Sequence, residues 1–277
     1  MKLLTWELPR LQSENGGEEA GRATAAAYLL DWQEGEQKRK RPAVVICPGG
    51  GYHKLSEREG EPVAMEYLAM GYHAFVLRYT VAPGRFPQGL LELASLVAHI
   101  RDHSEEWGVD PAKVVVSGFS AGGHLACSLG VFWNREFVYG SIGRRAEEIR
   151  PDGMILCYPV ITSGEYCHPG SFENLLGEEA GDEKKRRLVS LEMQVGPHTP
   201  KTFLWHTAAD ETVPVQNALL FAEALAANGV NVEFHLFPSG GHGLSLARED
   251  TSRGEESLVE PRCQCWIRLA GEWMKNL

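Results

Sequence analysis

Ser120 stands in Gly118-Phe119-Ser120-Ala121-Gly122, which fits G-x-S-x-G. A serine hydroxyl becomes a nucleophile only beside a base that takes its proton, and that base needs an acid to orient it. The pattern fixes three positions and recurs by chance, so its setting decides. Val114-Val115-Val116 reads as a buried strand before it, and the residues after Ser120 read as a helix. A strand handing over to a helix through glycines makes a sharp turn that exposes the serine. It also aims the helix N-terminus at developing negative charge. The alternative is a tight glycine turn with an incidental serine. His124, one helical turn later, reads as a histidine packed beneath the turn.

The base and acid are expected downstream, acid first, on loops that follow strands. Asp210 lies just beyond the strand-like "KTFLWHT", with Glu211 as the adjacent alternative. His242 lies in "FPSGGHGLSLA", after the strand-like "VNVEFHLF", with glycines on both sides. Asp152 precedes its strand and would sit at the wrong end of a sheet. His206 and His235 fall inside strands and read as core histidines. The order is therefore Ser120, Asp210, His242.

A tetrahedral intermediate also needs N–H donors aimed in advance. The amide of Ala121 is one. The others are expected from Gly50 and Gly51 in "CPGGGY", a glycine run after the strand-like "AVVI". A glycine run can also cradle phosphate, but neither the Gly-Lys-Ser/Thr ending nor a G-x-G-x-x-G with a matching helix is present.

These residues need a scaffold. From residue 43 onward strand-like and helix-like segments alternate, which predicts an α/β fold with a mostly parallel sheet covered on both faces. "GEPVAMEYLAMG", "PQGLLELASLVAHIRDHSEEWG", "VPVQNALLFAEALAANG" and residues 258–274 read as helices. "DPAKVVVSG" reads as a strand with Asp110-Pro111 as its turn. Apolar stretches at residues 3–8 and 25–32 are expected to add antiparallel edge strands. Residues 161–200 form a long insert between two strands, the kind of segment that is usually functional. Tyr52, next to the glycine run, is read as substrate-binding, and Tyr166, His168 and Phe172 in the insert as a wall against a sugar ring, the alternative being a solvated loop that packs elsewhere.

Composition narrows the class. The 277 residues are 43% apolar and 23% charged, ordinary globular values that are read as one domain over 1–277. A net charge of −10 argues against nucleic acid or an anionic membrane as partner. The runs Lys38-Arg39-Lys40-Arg41 and Lys184-Lys185-Arg186-Arg187 read as a solvated loop and a solvated helix face. No apolar run approaches the roughly 20 residues of a membrane span, and "MKLLTWELPR" lacks a leader's apolar core. The six cysteines include no C-x-x-C pair and read as reduced core thiols of a cytoplasmic protein. No metal and no organic cofactor is expected. A homo-oligomer is left open.

The chain resembles α/β-hydrolase-fold esterases, near the hormone-sensitive-lipase-like branch. The resemblance rests on "PGGGY", "FVLRYTVAPGRFPQGLLE", "EWGVDPAKVVVSGFSAGGHLA", "TFLWHTAADETVPV" and "FPSGGHG", in that order over about residues 43–244. The family loop typically reads His-Gly-Gly-Gly, and here Pro48 stands in place of the histidine. "SFENLLG" and "LVSLEMQV" further resemble bacterial acetyl-xylan-esterase-type proteins, many of which carry a xylanase-like name. This implies a serine carboxylesterase that deacetylates xylose-based or other acetylated sugars, its partner being a small ester substrate. A glycosidase would need a marked pair of carboxylates, and no pair stands out. Two other readings share the residues: a prolyl-oligopeptidase-like peptidase, and a non-catalytic ligand-binding scaffold of the same fold.

Overall fold

The computed structural model describes residues 1–9, 22–32 and 39–277. Lys38 of the first basic run lies outside the described residues. Among the described residues eight strands form one sheet, in the order β1-β2-β4-β3-β5-β6-β7-β8. They are β1 (Lys2–Glu7), β2 (Thr24–Leu29), β3 (Arg41–Cys47), β4 (His73–Arg78), β5 (Val109–Phe119), β6 (Gly153–Cys157), β7 (Thr202–Thr207) and β8 (Val232–Phe237). β2 runs antiparallel to both β1 and β4, and β3 through β8 are mutually parallel. The apolar N-terminal stretches thus form the antiparallel edge expected of them. The protein has the α/β-hydrolase fold.

The helices are α1 (Glu61–Ala69), α2 (Gln88–Asp102), α3 (Ser104–Trp107), α4 (Ala121–Phe132), α5 (Glu136–Tyr139), α6 (Ala146–Ile149), α7 (Pro169–Leu176), α8 (Glu183–Leu188), α9 (Gln216–Ala227) and α10 (Trp266–Met274). One face of the sheet packs on α2, α4 and α9 through Leu93, Leu96, Leu125, Leu129, Phe221 and Leu225. The other packs on α1 and α10 through Val63, Tyr67, Trp266 and Ala270. Parallel strands buried on both faces explain the unbroken apolar runs such as Val114-Val115-Val116.

Three sequence expectations are corrected. The helix expected to run to Gly108 breaks at His103, which leaves helical geometry at φ −100°, ψ 13°, with its Nδ1 2.9 Å from the His99 carbonyl that its own N–H also reaches. Asp110-Pro111 is not a turn but part of β5, at a register shift against β3, where a proline is tolerated. The C-terminal helix begins at Trp266, not Leu258, because Pro261 disfavours helical backbone before it and Val259 is extended. The second basic run lies on α8, as expected. All six cysteines are free thiols, four of them buried.

The register brings the strand ends to one edge. Cys47 pairs with Gly118, Phe119 with Cys157, Cys157 with Trp205, and Thr207 with Phe237. The loops that begin at residues 48, 120, 158, 208 and 238 therefore leave from the same side, where open parallel sheets hold their sites.

Candidate active site

Ser120 sits between β5 and α4 at φ 53°, ψ −119°, a left-handed strained backbone for a non-glycine residue. The flanking glycines are there because nothing larger fits. A β-carbon at Gly118 would lie 2.1 Å from the carbonyl oxygen of Gly122. One at Gly122 would lie 2.1 Å from that of Cys47 and 2.4 Å from that of Pro48. These are backbone atoms of β3 and of the loop after it, so the two ends must touch across the turn. Further bonds hold the turn: the Ser120 N–H donates to the Cys157 carbonyl, and its own carbonyl accepts from Val160 and His124.

The three predicted residues meet at this edge. Ser120 Oγ lies 2.7 Å from His242 Nε2, and His242 Nδ1 lies 2.6 Å from Asp210 Oδ2. Asp210 is buried, and its Oδ1 accepts from the N–H groups of Thr212 and Val213, each at 2.9 Å. Glu211 is exposed and outside this chain of contacts. Burial alone would raise the Asp210 pKa, but contacts from His206 and His242 and the Val213 N–H together hold the carboxyl well below the usual carboxylate range. Asp210 stays ionised wherever an imidazole titrates.

His206 is buried, as expected of a core histidine, but its Nε2 also lies 3.0 Å from the Val213 carbonyl and 3.3 Å from Asp210 Oδ2, a contact to the site that its place inside a strand does not suggest. The spacing His206 to Asp210 across a strand end was the only available signal.

Gly50 and Gly51 adopt φ 131° and 65° beside the serine. A β-carbon at Gly50 would lie 2.1 Å from the Lys54 carbonyl oxygen. Among the described residues no hydrogen bond occupies the N–H of Gly50 or Gly51, and the N–H of Ala121 is the first of α4. Glu59 braces this loop. Its Oε2 accepts from the Gly49 N–H at 2.8 Å and its Oε1 accepts from Tyr158 Oη at 2.7 Å. Tyr158 Oη in turn accepts from the Ser245 N–H at 2.8 Å, and its ring meets the edge of His242 at 5.2 Å. Arg58 donates to the carbonyls of Gly243 and Thr251. Neighbouring residues 58 and 59 thus fasten the histidine loop to the glycine loop. In "KLSEREGEP" neither is distinguishable by type from a solvated charge.

A cleft of about 530 Å³ opens over Ser120 and His242. His168 lines it, as the insert reading expects, together with Asn174, whose Nδ2 donates to the Gly51 carbonyl at 2.9 Å. Because the Ser171 N–H donates to His168 Nδ1, that nitrogen is the acceptor and Nε2 carries the proton when the ring is neutral. Burial and the nearby His242 lower the His168 pKa, which favours that neutral ring. The other two expected wall residues, Phe172 and Tyr166, and the expected substrate-binding Tyr52 are not among the residues that line the cleft. Phe172 is buried against His124, ring edge to face at 5.5 Å, because α7 turns its apolar side inward. Tyr52 is buried, with Oη 2.8 Å from His124 Nδ1. Tyr166 is half-buried, and its backbone carbonyl accepts from Asn217 of α9. His124 is packed under the turn, as read. A second hollow of about 540 Å³, between α1 and β4, shares Leu55 and Ser56 with the cleft but does not reach the serine.

The BD-FAE family matches residues 30–225. The chain is 39% identical to endo-1,4-beta-xylanase B of Butyrivibrio fibrisolvens, over 80% of this chain and 36% of that one. It is 32% identical to an acetylxylan esterase of Xylanibacter ruminicola, over 82% and 44%. The chain thus spans less than half the length of these two relatives. Among solved structures it matches the carboxylesterase Cest-2923 from Lactobacillus plantarum with a TM-score of 0.87 at 28% identity, covering 100% and 98% of the two chains. It also matches an acetyl ester-xyloside bifunctional hydrolase from Caldicellulosiruptor lactoaceticus, with a TM-score of 0.81 at 35% identity over 98% and 96%.

Proposed function

We propose, from the premise that the chain belongs to the BD-FAE family and folds as an α/β-hydrolase, that it is a serine carboxylesterase removing short acyl groups, acetyl foremost, from carbohydrates. The observation that carries this is the unbroken run of contacts from Ser120 Oγ through His242 to Asp210 at the floor of an open cleft. Ser120 Oγ attacks the ester carbonyl while His242 Nε2 takes its proton. The Nδ1–H donates to Asp210, which fixes the tautomer and stabilises the imidazolium. The oxyanion is received by the amides of Gly50, Gly51 and Ala121, and by the N-terminus of α4. His242 then returns the proton to the leaving alkoxide. Water repeats the cycle on the acyl-enzyme, restoring Ser120.

The sugar part of the reading draws on the relatives: one is named an acetylxylan esterase and another an acetyl ester-xyloside hydrolase. Glycoside hydrolysis in this cleft fits less well. Among the described residues lining it, Glu59 is the one carboxyl, and it is 3% exposed and engaged on both oxygens. Two facing carboxyls about 5–10 Å apart are absent from that lining.

Titration with a serine-reactive phosphonate should label one site and abolish hydrolysis of 4-nitrophenyl acetate. Ser120→Ala should keep the fold, lose the label and lower kcat by about 10³-fold or more. Retained turnover in that variant would remove the nucleophile. Acetylated xylo-oligosaccharides, butyryl esters and an amide analogue, compared by kcat/KM, separate a sugar esterase from a lipase-like esterase and from a peptidase.

A further inference from the structure

The cleft has a different charge balance from the rest of the chain. The net charge of the whole is −10. The lining of the cleft nevertheless holds Lys54, Arg58 and Arg253 against the single carboxyl of Glu59. Glu59 is buried and already accepts two hydrogen bonds. Asp210, behind the histidine, is likewise taken up by His242 and two amides. Arg58 donates to two neutral carbonyls, so its charge is oriented but not neutralised. Lys54 and Arg253 are exposed at the rim, and among the described residues neither side chain makes an ion pair or a hydrogen bond. Glu57, three residues from Lys54, lies 3.9 Å from Arg78, and neither it nor Glu255, two residues from Arg253, lines the cleft.

Arg253 carries a second mark. It is held at φ 57°, a left-handed backbone that a long side chain adopts only when its surroundings impose it. The surroundings here do so. Thr251 is tied to Arg58 by its carbonyl, and Ser252 Oγ caps the turn by donating to Glu249 and accepting from the Gly254 N–H. The cation is presented to the cleft by a braced segment.

Cations around a partly enclosed cleft focus a positive potential inside it. An acetyl group bonded near Ser120 is too short to reach the rim. A charge met by Lys54 and Arg253 therefore belongs to the part of the substrate that projects outward, the alcohol. Resting on the esterase reading above, we infer that the site selects esters whose alcohol part carries a carboxylate, that is, acetylated acidic sugars of the uronic-acid kind, with Lys54 and Arg253 as the specificity-determining residues.

A matched pair tests this: a mono-O-acetylated methyl glucuronoside with its carboxylate free, and the corresponding mono-O-acetylated methyl glucoside. The wild-type protein should favour the acidic ester in kcat/KM by about three- to tenfold at low salt, mainly through KM. The preference should vanish between about 0.01 M and 1 M salt, as the screening length falls from about 30 Å to 3 Å. In the Lys54→Gln/Arg253→Gln double variant the ratio of the two substrates should move towards one already at low salt. Equal use of both esters by the wild type, or a preference that the double variant keeps in full, overturns the inference while leaving the esterase reading intact. Failure to hydrolyse either ester, with no phosphonate labelling of Ser120, overturns the esterase reading and the inference with it.

Discussion

Glu59 divides its two oxygens between the glycine loop and Tyr158, and so sets the distance between the proposed oxyanion donors and the histidine loop. Glutamine at this position can satisfy one of those donors but turns an N–H group towards the other. Glu59→Gln should therefore lower kcat on a small aryl acetate by about ten- to a hundredfold, with little change in KM, because the donors are displaced and not removed. Glu59→Asp, which keeps the acceptors on a shorter arm, should recover part of it. An unchanged kcat in the glutamine variant would show that the loops hold their spacing without this carboxyl. Ser120 and His242 stand out in the sequence because each lies among glycines where a strand-like run ends, and Asp210 because it follows the strand-like "KTFLWHT"; the fold brings the three side chains together. Glu59 was not legible, since an acid in a polar run looks like a solvated one until the fold buries it. Phe172 and Tyr52 misled for the converse reason: an aromatic next to a site is as easily its foundation as its wall.

The turn between β5 and α4 is an element whose geometry can be tested without touching the chemistry. A methyl at Gly122 would meet the Cys47 and Pro48 carbonyls, which are backbone and cannot swing aside. Gly122→Ala should cost about 1–3 kcal/mol of stability or more, read by urea unfolding. It should also lower turnover in whatever remains folded, because Pro48 leads into the oxyanion glycines. Gly181→Ala, where a β-carbon meets nothing within 4 Å, is the control and should be close to neutral. If both substitutions behave alike, the close approach is not what the glycine is for. Regular elements were readable where β-branched runs or a 3.6-residue period continue for several turns, as in β5, α2 and α9. The insert was readable only as an insert. Its short helices and turns are stabilised by packing of Leu175, Leu176, Val189 and Leu191 into the main core, a tertiary cause that no local period announces.

At the scale of the whole molecule, two buried histidines couple folding to acidity. Burial pushes His124 and His73 down to about 4. An unfolded histidine titrates near 6.5, so between about 6.5 and 4 the unfolded chain binds more protons and stability is lost as the pH falls. Each histidine contributes a slope of up to about 1.4 kcal/mol per pH unit. His99 and His168, also lowered by burial, act in the same sense. Glu92, raised by burial, opposes them towards the acid end, and Asp210 adds its loss only below the usual carboxylate range. Urea unfolding between pH 7 and 4 should show this fall, with a shallower slope in His124→Gln. A flat profile would mean that neither ring is kept neutral by the fold. The parallel sheet has one more effect, and it concerns time. The proposed nucleophile and base, Ser120 and His242, are 122 residues apart, and His242 hangs from the outermost strand. A chain still on the ribosome would expose its serine long before the imidazole could arrive. If the proposed mechanism holds, hydrolysis is withheld until translation has passed residue 242 and the last strand has docked, so ester cleavage in a cell would register chains folded through that strand and ignore shorter nascent ones.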